Sequence, residues 1–345
     1  MIKNSTEDTI FNIVIGSACN WKCPYCLQED DSSINKNNDI EYFCTNFLKF
    51  LEDNYKNKLI NRFTIWGGEP FLYFKDIKYL IDSLKDIPTL RKPRITTNGS
   101  LLTKEHIKYI NDNDLFINLS YHCGQLQEDK WKLALQIKDL HITSLVHHQE
   151  LSWDNYFNKW QYLYHKYGRC LNWYIYPILY VNDIPREYLF TKEDIDIYFN
   201  NLKSYLKNLD NIFYKNAINS IIFTYYKKYL KHNLSNYCFN NNNYSLDLKG
   251  NRYLCHHNFS INNIVGNIFK KTIPIIPIEF KEPLLKYKSK QCQKCKAYKI
   301  CFGGCFRAKD PILDCYFNNK IYEFLKEIKQ NYFQYFSYSE FLNEI

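Results

Sequence analysis

The amino-acid sequence predicts an α/β protein in which a parallel sheet curls into a partial barrel and a cysteine-rich region follows. Two observations predict it. Residues 10–182 repeat one pattern, a short β-branched or aromatic run followed by a polar turn and an amphipathic stretch, which is the signature of consecutive βα units. From Cys238 to Cys315 that pattern gives way to short, loop-rich sequence carrying seven cysteines.

Taken in order, strands are expected at 10–16, 61–66, 93–97, 115–121, 142–148 and 172–182. Helices are expected near 39–55, 75–86, 103–112, 128–139, 152–167 and 192–231. Six such units make a partial (β/α)6 TIM barrel, and the chemistry of such a sheet sits just after each strand, at its C-terminal end. A boundary is expected near residue 216, giving a barrel over 1–215 and a cysteine domain over 216–320. An aromatic-rich C-terminal helix, 321–345, is expected to pack back on the body.

Composition narrows the function classes. With 46% hydrophobic residues in 345, the chain has apolar mass for a large core. Its 45 Lys and Arg against 36 Asp and Glu give a formal charge of +9, scattered without a basic block, so no nucleic-acid surface is expected. An acidic partner suits that charge, either an electron-donor protein or an acidic peptide. The start MIKNSTEDTI has no apolar stretch behind a basic segment, and nowhere do about 18 apolar residues run together, so no membrane segment and a cytoplasmic location are expected. A reducing compartment does not sustain structural disulfides, so most of the 13 cysteines should bind metal.

Directly after the first strand comes Cys19-Asn20-Trp21-Lys22-Cys23-Pro24-Tyr25-Cys26. Three thiolates can hold three irons of a 4Fe-4S cubane and leave the fourth open, as a catalytic metal keeps one position free. A zinc knuckle or incidental thiols are the plain alternatives. This Cx3CxΦC pattern, with Tyr25 as its aromatic residue, resembles the radical S-adenosylmethionine (SAM) superfamily. The resemblance implies that the SAM amino and carboxylate groups chelate the open iron, and that an electron passed through the cluster cleaves the sulfonium to a 5′-deoxyadenosyl radical.

The later strands extend the resemblance. Trp66-Gly67-Gly68-Glu69-Pro70 resembles the family's GGE motif and implies that Gly67, Gly68 and Glu69 serve the methionine amino group of SAM. Two glycines also let the backbone approach a ligand more closely than a side-chain-bearing residue would. Thr96-Thr97-Asn98-Gly99 and Asn118-Leu119-Ser120 resemble stretches that line the SAM ribose and carboxylate, which implies roles for Asn98 and Ser120; plain turn chemistry is the alternative for each. Where many relatives continue to Asp-Gly, this chain reads Tyr121-His122-Cys123-Gly124. The fifth strand ends His147-His148-Gln149-Glu150, and the sixth carries Tyr174, Tyr176 and Tyr180, residues for a substrate cavity or for ordinary packing.

The C-terminal cysteines follow a Cx9-15Gx4C, Cx2Cx5Cx3C, C pattern: Cys238, Gly250 and Cys255, then Cys292, Cys295, Cys301 and Cys305, then Cys315. On spacing alone, one zinc on Cys292, Cys295, Cys301 and Cys305 competes. The whole pattern resembles the SPASM domain of radical SAM enzymes, which implies two auxiliary 4Fe-4S clusters. Cys238, Cys255 and Cys305 would hold the first, and Cys292, Cys295, Cys301 and Cys315 the second. The fourth iron of the first falls to His232, to another group or to substrate. Cys44, Cys123 and Cys170 lie outside both motifs and are expected to be free buried thiols.

Resemblance to SPASM proteins implies an oxidoreductase that modifies a peptide or protein, with a flavodoxin- or ferredoxin-type electron donor. The leading expectation is a maturase of ribosomally made peptides, forming a thioether or carbon–carbon cross-link or an epimer. The alternatives are an anaerobic sulfatase-maturating enzyme making formylglycine from Cys or Ser, and a non-catalytic zinc protein. Sulfatase-maturating relatives carry Asp after the cysteine matching Cys255, as a base; here His256 and His257 follow, and His256 is the candidate base. The first strand begins about ten residues in, so no N-terminal leader-binding domain is expected. Anaerobic reconstitution should load about twelve irons per chain, matched by sulfide; about four would leave the C-terminal cysteines without a cluster.

Overall fold

The computed structural model describes residues 9–26, 39–122, 126–178, 184–230, 242–255, 263–272, 292, 294–301, 310–336 and 342. Contacts divide the chain into two compact units: Met1–Ser120, Leu126–Leu140 and Leu234–Pro277, and then Tyr121–Gln125, His141–Asn233 and Ile278–Ile345.

The first unit is built on β1 (Thr9–Gly16), every residue of which is buried. A strand covered on both sides reads as a continuous apolar run rather than an alternation, and IFNIVI is such a run. It pairs in parallel with β2 (Ile60–Gly67), setting Phe11 beside Phe63 and Ile13 beside Ile65. β3 (Arg94–Thr97) and β4 (Phe116–Ser120) continue the parallel order, with Ile95 beside Ile117. The crossover helices are α1 (Ile40–Tyr55), α2 (Phe74–Leu84) and α3 (Lys104–Asp112), with α4 (Glu128–Ala134) after β4. α1 starts where the Asp39 carboxylate accepts the Tyr42 N–H at 2.9 Å, and it buries Phe43, Phe47, Leu51 and Tyr55, one side chain per turn.

The other neighbour of β1 comes from far along the chain. β7 (Asn243–Leu246) pairs with it in parallel, placing Tyr244 beside Phe11 with rings stacked 4.8 Å apart. β8 (Asn251–Tyr253) and β9 (Ile264–Asn267) follow antiparallel. Asp247 closes the β7–β8 turn, its carboxylate accepting from Lys249 N, Asn251 N and the Tyr253 hydroxyl. These three strands lie in sequence read above only as loop-rich.

In the second unit β5 (Asp139–Val146, from His141 onward) pairs in parallel with β6 (Asn172–Pro177). α5 (Asp154–Tyr167) ends on the left-handed Gly168. The single helix expected over 192–231 is two: α6 (Lys192–Leu206), opened by a Thr191–Asp194 capping box, and α7 (Ile212–Leu230). The break has a local cause, because the Asn211 side-chain oxygen accepts the Phe213 and Tyr214 N–H groups and restarts the helix as a cap. The short α8 (Tyr298–Cys301) and the long α9 (Pro311–Asn331) complete the unit. α9 starts ahead of the expected 321 because Asp310 caps Leu313 N at 3.0 Å and Pro311 suits the first helical turn.

The fold is the mixed α/β, parallel-sheet type that the sequence predicts. Among the described residues no helix is long and apolar enough to cross a membrane. Gly250, at φ 76°, occupies the left-handed region, and an added Cβ would fall 2.4 Å from the Phe269 ring. Gly250→Ala should therefore cost roughly 1–2 kcal/mol of backbone strain plus the displacement of Phe269. Urea unfolding should show an earlier midpoint; an unchanged midpoint would contradict this reading of the turn.

Candidate active site

β1 ends at Gly16 and feeds the loop that carries Cys19, Cys23 and Cys26. Backbone contacts fix its first turn: Gly68 N–H donates to Gly16 O at 2.9 Å and Glu69 N–H to Ala18 O at 2.8 Å. An added Cβ would lie 2.1 Å from Gly16 O at Gly67 and 2.1 Å from Ala18 O at Gly68. Both motif glycines are thus needed for the approach of two backbones within the protein. The Tyr73 hydroxyl accepts the Ala18 N–H at 3.0 Å, and the Tyr73 ring fills the space a Gly16 side chain would take.

A second set of bonds holds the residue after Cys19. The Asn98 amide donates to Asn20 Oδ1 at 3.0 Å, Asn20 Nδ2 donates to Ser100 Oγ at 2.8 Å, and Ser100 closes on Asn98 Oδ1 at 2.6 Å. Asn98 is in turn placed by Glu69. The Glu69 side chain is 0% exposed; Oε1 accepts from Phe71 N at 3.0 Å and Thr97 Oγ1 at 2.7 Å, and Oε2 from Asn98 N at 2.8 Å. Burial pushes this carboxyl up from its ordinary value against the pull of the three donors. The acidic side chain of the GGE turn therefore braces the end of β3.

Cys19 and Cys26 are exposed and Cys23 half-buried, all as free thiols, while Tyr25 is buried. Cys26 N–H donates to Cys23 O at 3.0 Å, and Trp21 N–H points at Cys19 Sγ at 3.4 Å. Burial raises the Cys23 thiol to about 11, and the charges of Cys26 and Cys19 add to it; Cys19 is raised by burial and also by Glu69 and Cys26. Cys19 and Cys23, whose ionisation burial and neighbouring charge oppose, belong to a donor set that a cationic iron cluster would relieve. Among the described residues no three His, Cys, Asp or Glu side chains converge as one mononuclear ion requires. Asn118 and Ser120 share the half-buried face of β4.

In the second unit Cys292, Cys295 and Cys301 are half-buried and Cys315 exposed; burial, then Cys292, Asp314 and Cys295, raise the Cys315 thiol. Cys255 is half-buried in the first unit. Cys238, Cys305, His232, His256, His257, Cys123 and Tyr180 lie outside the described residues. Cys44 is buried as expected, but Cys170 is exposed, on the turn after α5, where Asn216 Nδ2 reaches its sulfur at 3.5 Å.

Past the end of β5, His148 Nδ1 meets Asp194 Oδ2 at 2.7 Å and His147 Nε2 lies 3.8 Å from Glu150. Burial, with the charge of His147, lowers His122 to about 4, so that imidazole is neutral at ordinary pH, and burial also lowers His147. Tyr174 and Tyr176 stack 6.1 Å apart, and the Tyr176 hydroxyl meets Thr224 at 3.1 Å. Sequence reasoning missed Asn20, Tyr73 and Ser100 as supports of the cysteine loop; only Asn20, inside the triad, sits where local pattern draws the eye.

Residues 13–125 match the radical SAM superfamily. Molybdenum cofactor biosynthesis protein 1 of Dictyostelium discoideum is 30% identical over 125 residues, 36% of this chain and 19% of that protein, so the match spans less than a fifth of that relative. The cysteine-type anaerobic sulfatase-maturating enzyme of Clostridium perfringens (strain 13 / Type A) is 23% identical over 85% of this chain and 87% of its own length. Native anSMEcpe, solved with AdoMet and the Kp18Cys peptide, superposes with a TM-score of 0.67 at 19% identity, covering 97% of this chain and 100% of that one. Streptococcus suis SuiB, solved with its precursor peptide SuiA, gives 0.61 at 17% identity, covering 88% and 74%.

If Glu69 braces the loop, Glu69→Gln should cost about 1–3 kcal/mol, because its amide turns a donor toward groups that already donate. Thr97→Val, which loses one bond, should cost less. Chemical unfolding that ranks the two variants equal to wild type would contradict the bracing role.

Proposed function

We propose that this radical SAM enzyme modifies a peptide, as a maturase of ribosomally made peptides. The observation that carries the reading is the likeness along nearly the whole chain to anSMEcpe and SuiB, both solved with peptides bound. The thiols of Cys19, Cys23 and Cys26 would hold a 4Fe-4S cluster, which when bound supplies the electron that cleaves SAM into methionine and a 5′-deoxyadenosyl radical. Tyr25, Gly67, Gly68, Glu69, Asn98 and Ser120 would form the SAM site, with the Glu69 side chain bracing Asn98. Asn98, anchored on Glu69 and Asn20, is oriented by the protein before ligand arrives, which lowers the ordering cost of binding.

Residues 216–320 would carry the auxiliary clusters, on Cys238, Cys255 and Cys305 and on Cys292, Cys295, Cys301 and Cys315. Those clusters would accept the electron that a substrate radical gives up in forming a new bond. His256, next to Cys255, would take the accompanying proton. The reductant would be a flavodoxin- or ferredoxin-type protein.

Sulfatase maturation is the second reading, favoured by the coverage of the Clostridium perfringens relative. Coexpression with small open reading frames beside the gene, followed by mass spectrometry, separates the two. A peptide that loses two hydrogens, or keeps its mass in H2O but is heavier by one deuterium when made in D2O, and that is unmodified with a Cys19→Ala variant, fits the maturase. Conversion of a sulfatase cysteine or serine to an aldehyde, with every small peptide untouched, would overturn it.

A further inference from the structure

The first unit holds a cavity of about 710 Å³ well away from the cysteine loop. It lies against the C-terminal half of α1, β7, β8 and the turn after β9, and its walls include Lys49, Asp53, Tyr244, Arg252, Phe269 and Lys271. Tyr244 pairs with Phe11, five residues before β1 ends at Gly16, which sets the cavity roughly 16 Å back along the strand from the loop that bears Cys19.

Its charge is one-sided. Three cations, Lys49, Arg252 and Lys271, face one carboxylate, Asp53, and the Lys271–Asp53 contact is a long, exposed 3.7 Å. The arginine is held in place: its guanidinium lies 4.5 Å over the Tyr244 ring, and Nη2 donates to Asn243 O at 3.0 Å. The Tyr244 hydroxyl is itself tied to that of Tyr55 at 2.9 Å. A planar guanidinium fixed on an aromatic face is pre-organised for a carboxylate. Lys271 sits at φ 52°, a left-handed conformation that costs a non-glycine residue free energy, and the turn is locked by Asn267 N–H donating to Thr272 Oγ1 at 2.7 Å.

A lone phosphate or carboxylate would fill little of this volume, and the aromatic walls offer it nothing. An extended peptide segment with acidic and aromatic side chains satisfies both the cations and the rings. We propose that this cavity binds an acidic segment of the peptide substrate, remote in the chain from the residue that is modified. The proposal rests on the peptide reading above and names where that peptide is gripped.

The test is fluorescence anisotropy with the full chain and a short fluorescein-labelled peptide alternating Glu and Phe, beside a control with Gln for Glu. Lys49 and Lys271 are exposed, so the double variant K49E/K271E should still fold, which circular dichroism checks; Arg252→Gln provides a second variant. The acidic peptide should bind wild type, and the double variant or high salt should weaken it about tenfold. Equal affinity for wild type and K49E/K271E, equal binding of the Gln control, or displacement by equimolar inorganic phosphate would each overturn the proposal. Failure of the peptide-modification reading looks different: no coexpressed peptide changes mass while the anisotropy result stands. Failure of this cavity alone would give a modified peptide whose yield K49E/K271E leaves untouched.

Discussion

A buried carboxylate sets the geometry on which the reacting end of the first unit depends. Glu69 sits after β2, takes three hydrogen bonds from Phe71, Thr97 and Asn98, and gives its own N–H to Ala18 in the loop after β1. One residue thereby locks the ends of three neighbouring strands. A carboxyl without solvent exposure is costly unless its oxygens are satisfied, and here the ends of β2 and β3 satisfy them. Glycines at 16, 67 and 68 are the steric half of the same constraint, since side chains there would drive the loop away from the turn that holds it. The cysteine triad stands on this platform.

Much of this was legible in the sequence because it is local. β1 is an unbroken apolar run, β4 and β5 alternate, and α1 repeats a large apolar side chain every fourth residue. The triad and the seven later cysteines announce themselves by spacing. What was not legible is long-range or too short to have a period. NYSL, NRY and IVGN are strands of three or four residues, and they become strands because β1 offers Tyr244 and Leu246 a partner edge more than 200 positions away. The break between α6 and α7 rests on one asparagine whose side chain caps forward, a choice that helical periodicity does not register.

The site shows the same division. Glu69 was recognised by its motif as a residue of the SAM site, and what the motif did not announce is that its side chain braces Thr97 and Asn98. Tyr73 lies just ahead of the helix expected near 75–86 and carries no motif, yet its hydroxyl reaches back 55 positions to the Ala18 amide. The first unit consequently has two chemically distinct regions. The loop at the C-terminal end of β1 collects sulfur, and the cavity beside the far half of α1 collects positive charge against aromatic walls. A catalyst that attacks one bond in a long, flexible substrate gains from such a separation, because affinity comes from one place and reactivity from another.

The assignment of Cys19, Cys23 and Cys26 to a three-legged iron cluster with SAM on its open corner is tested most directly by electron–nuclear double resonance. The sample is reduced, reconstituted protein mixed with SAM labelled with nitrogen-15 at its amino group. A nitrogen-15 coupling to the cluster spin is expected, and it should vanish in a Cys23→Ala variant. A reduced spectrum that SAM leaves unaltered, with no such coupling, would contradict it.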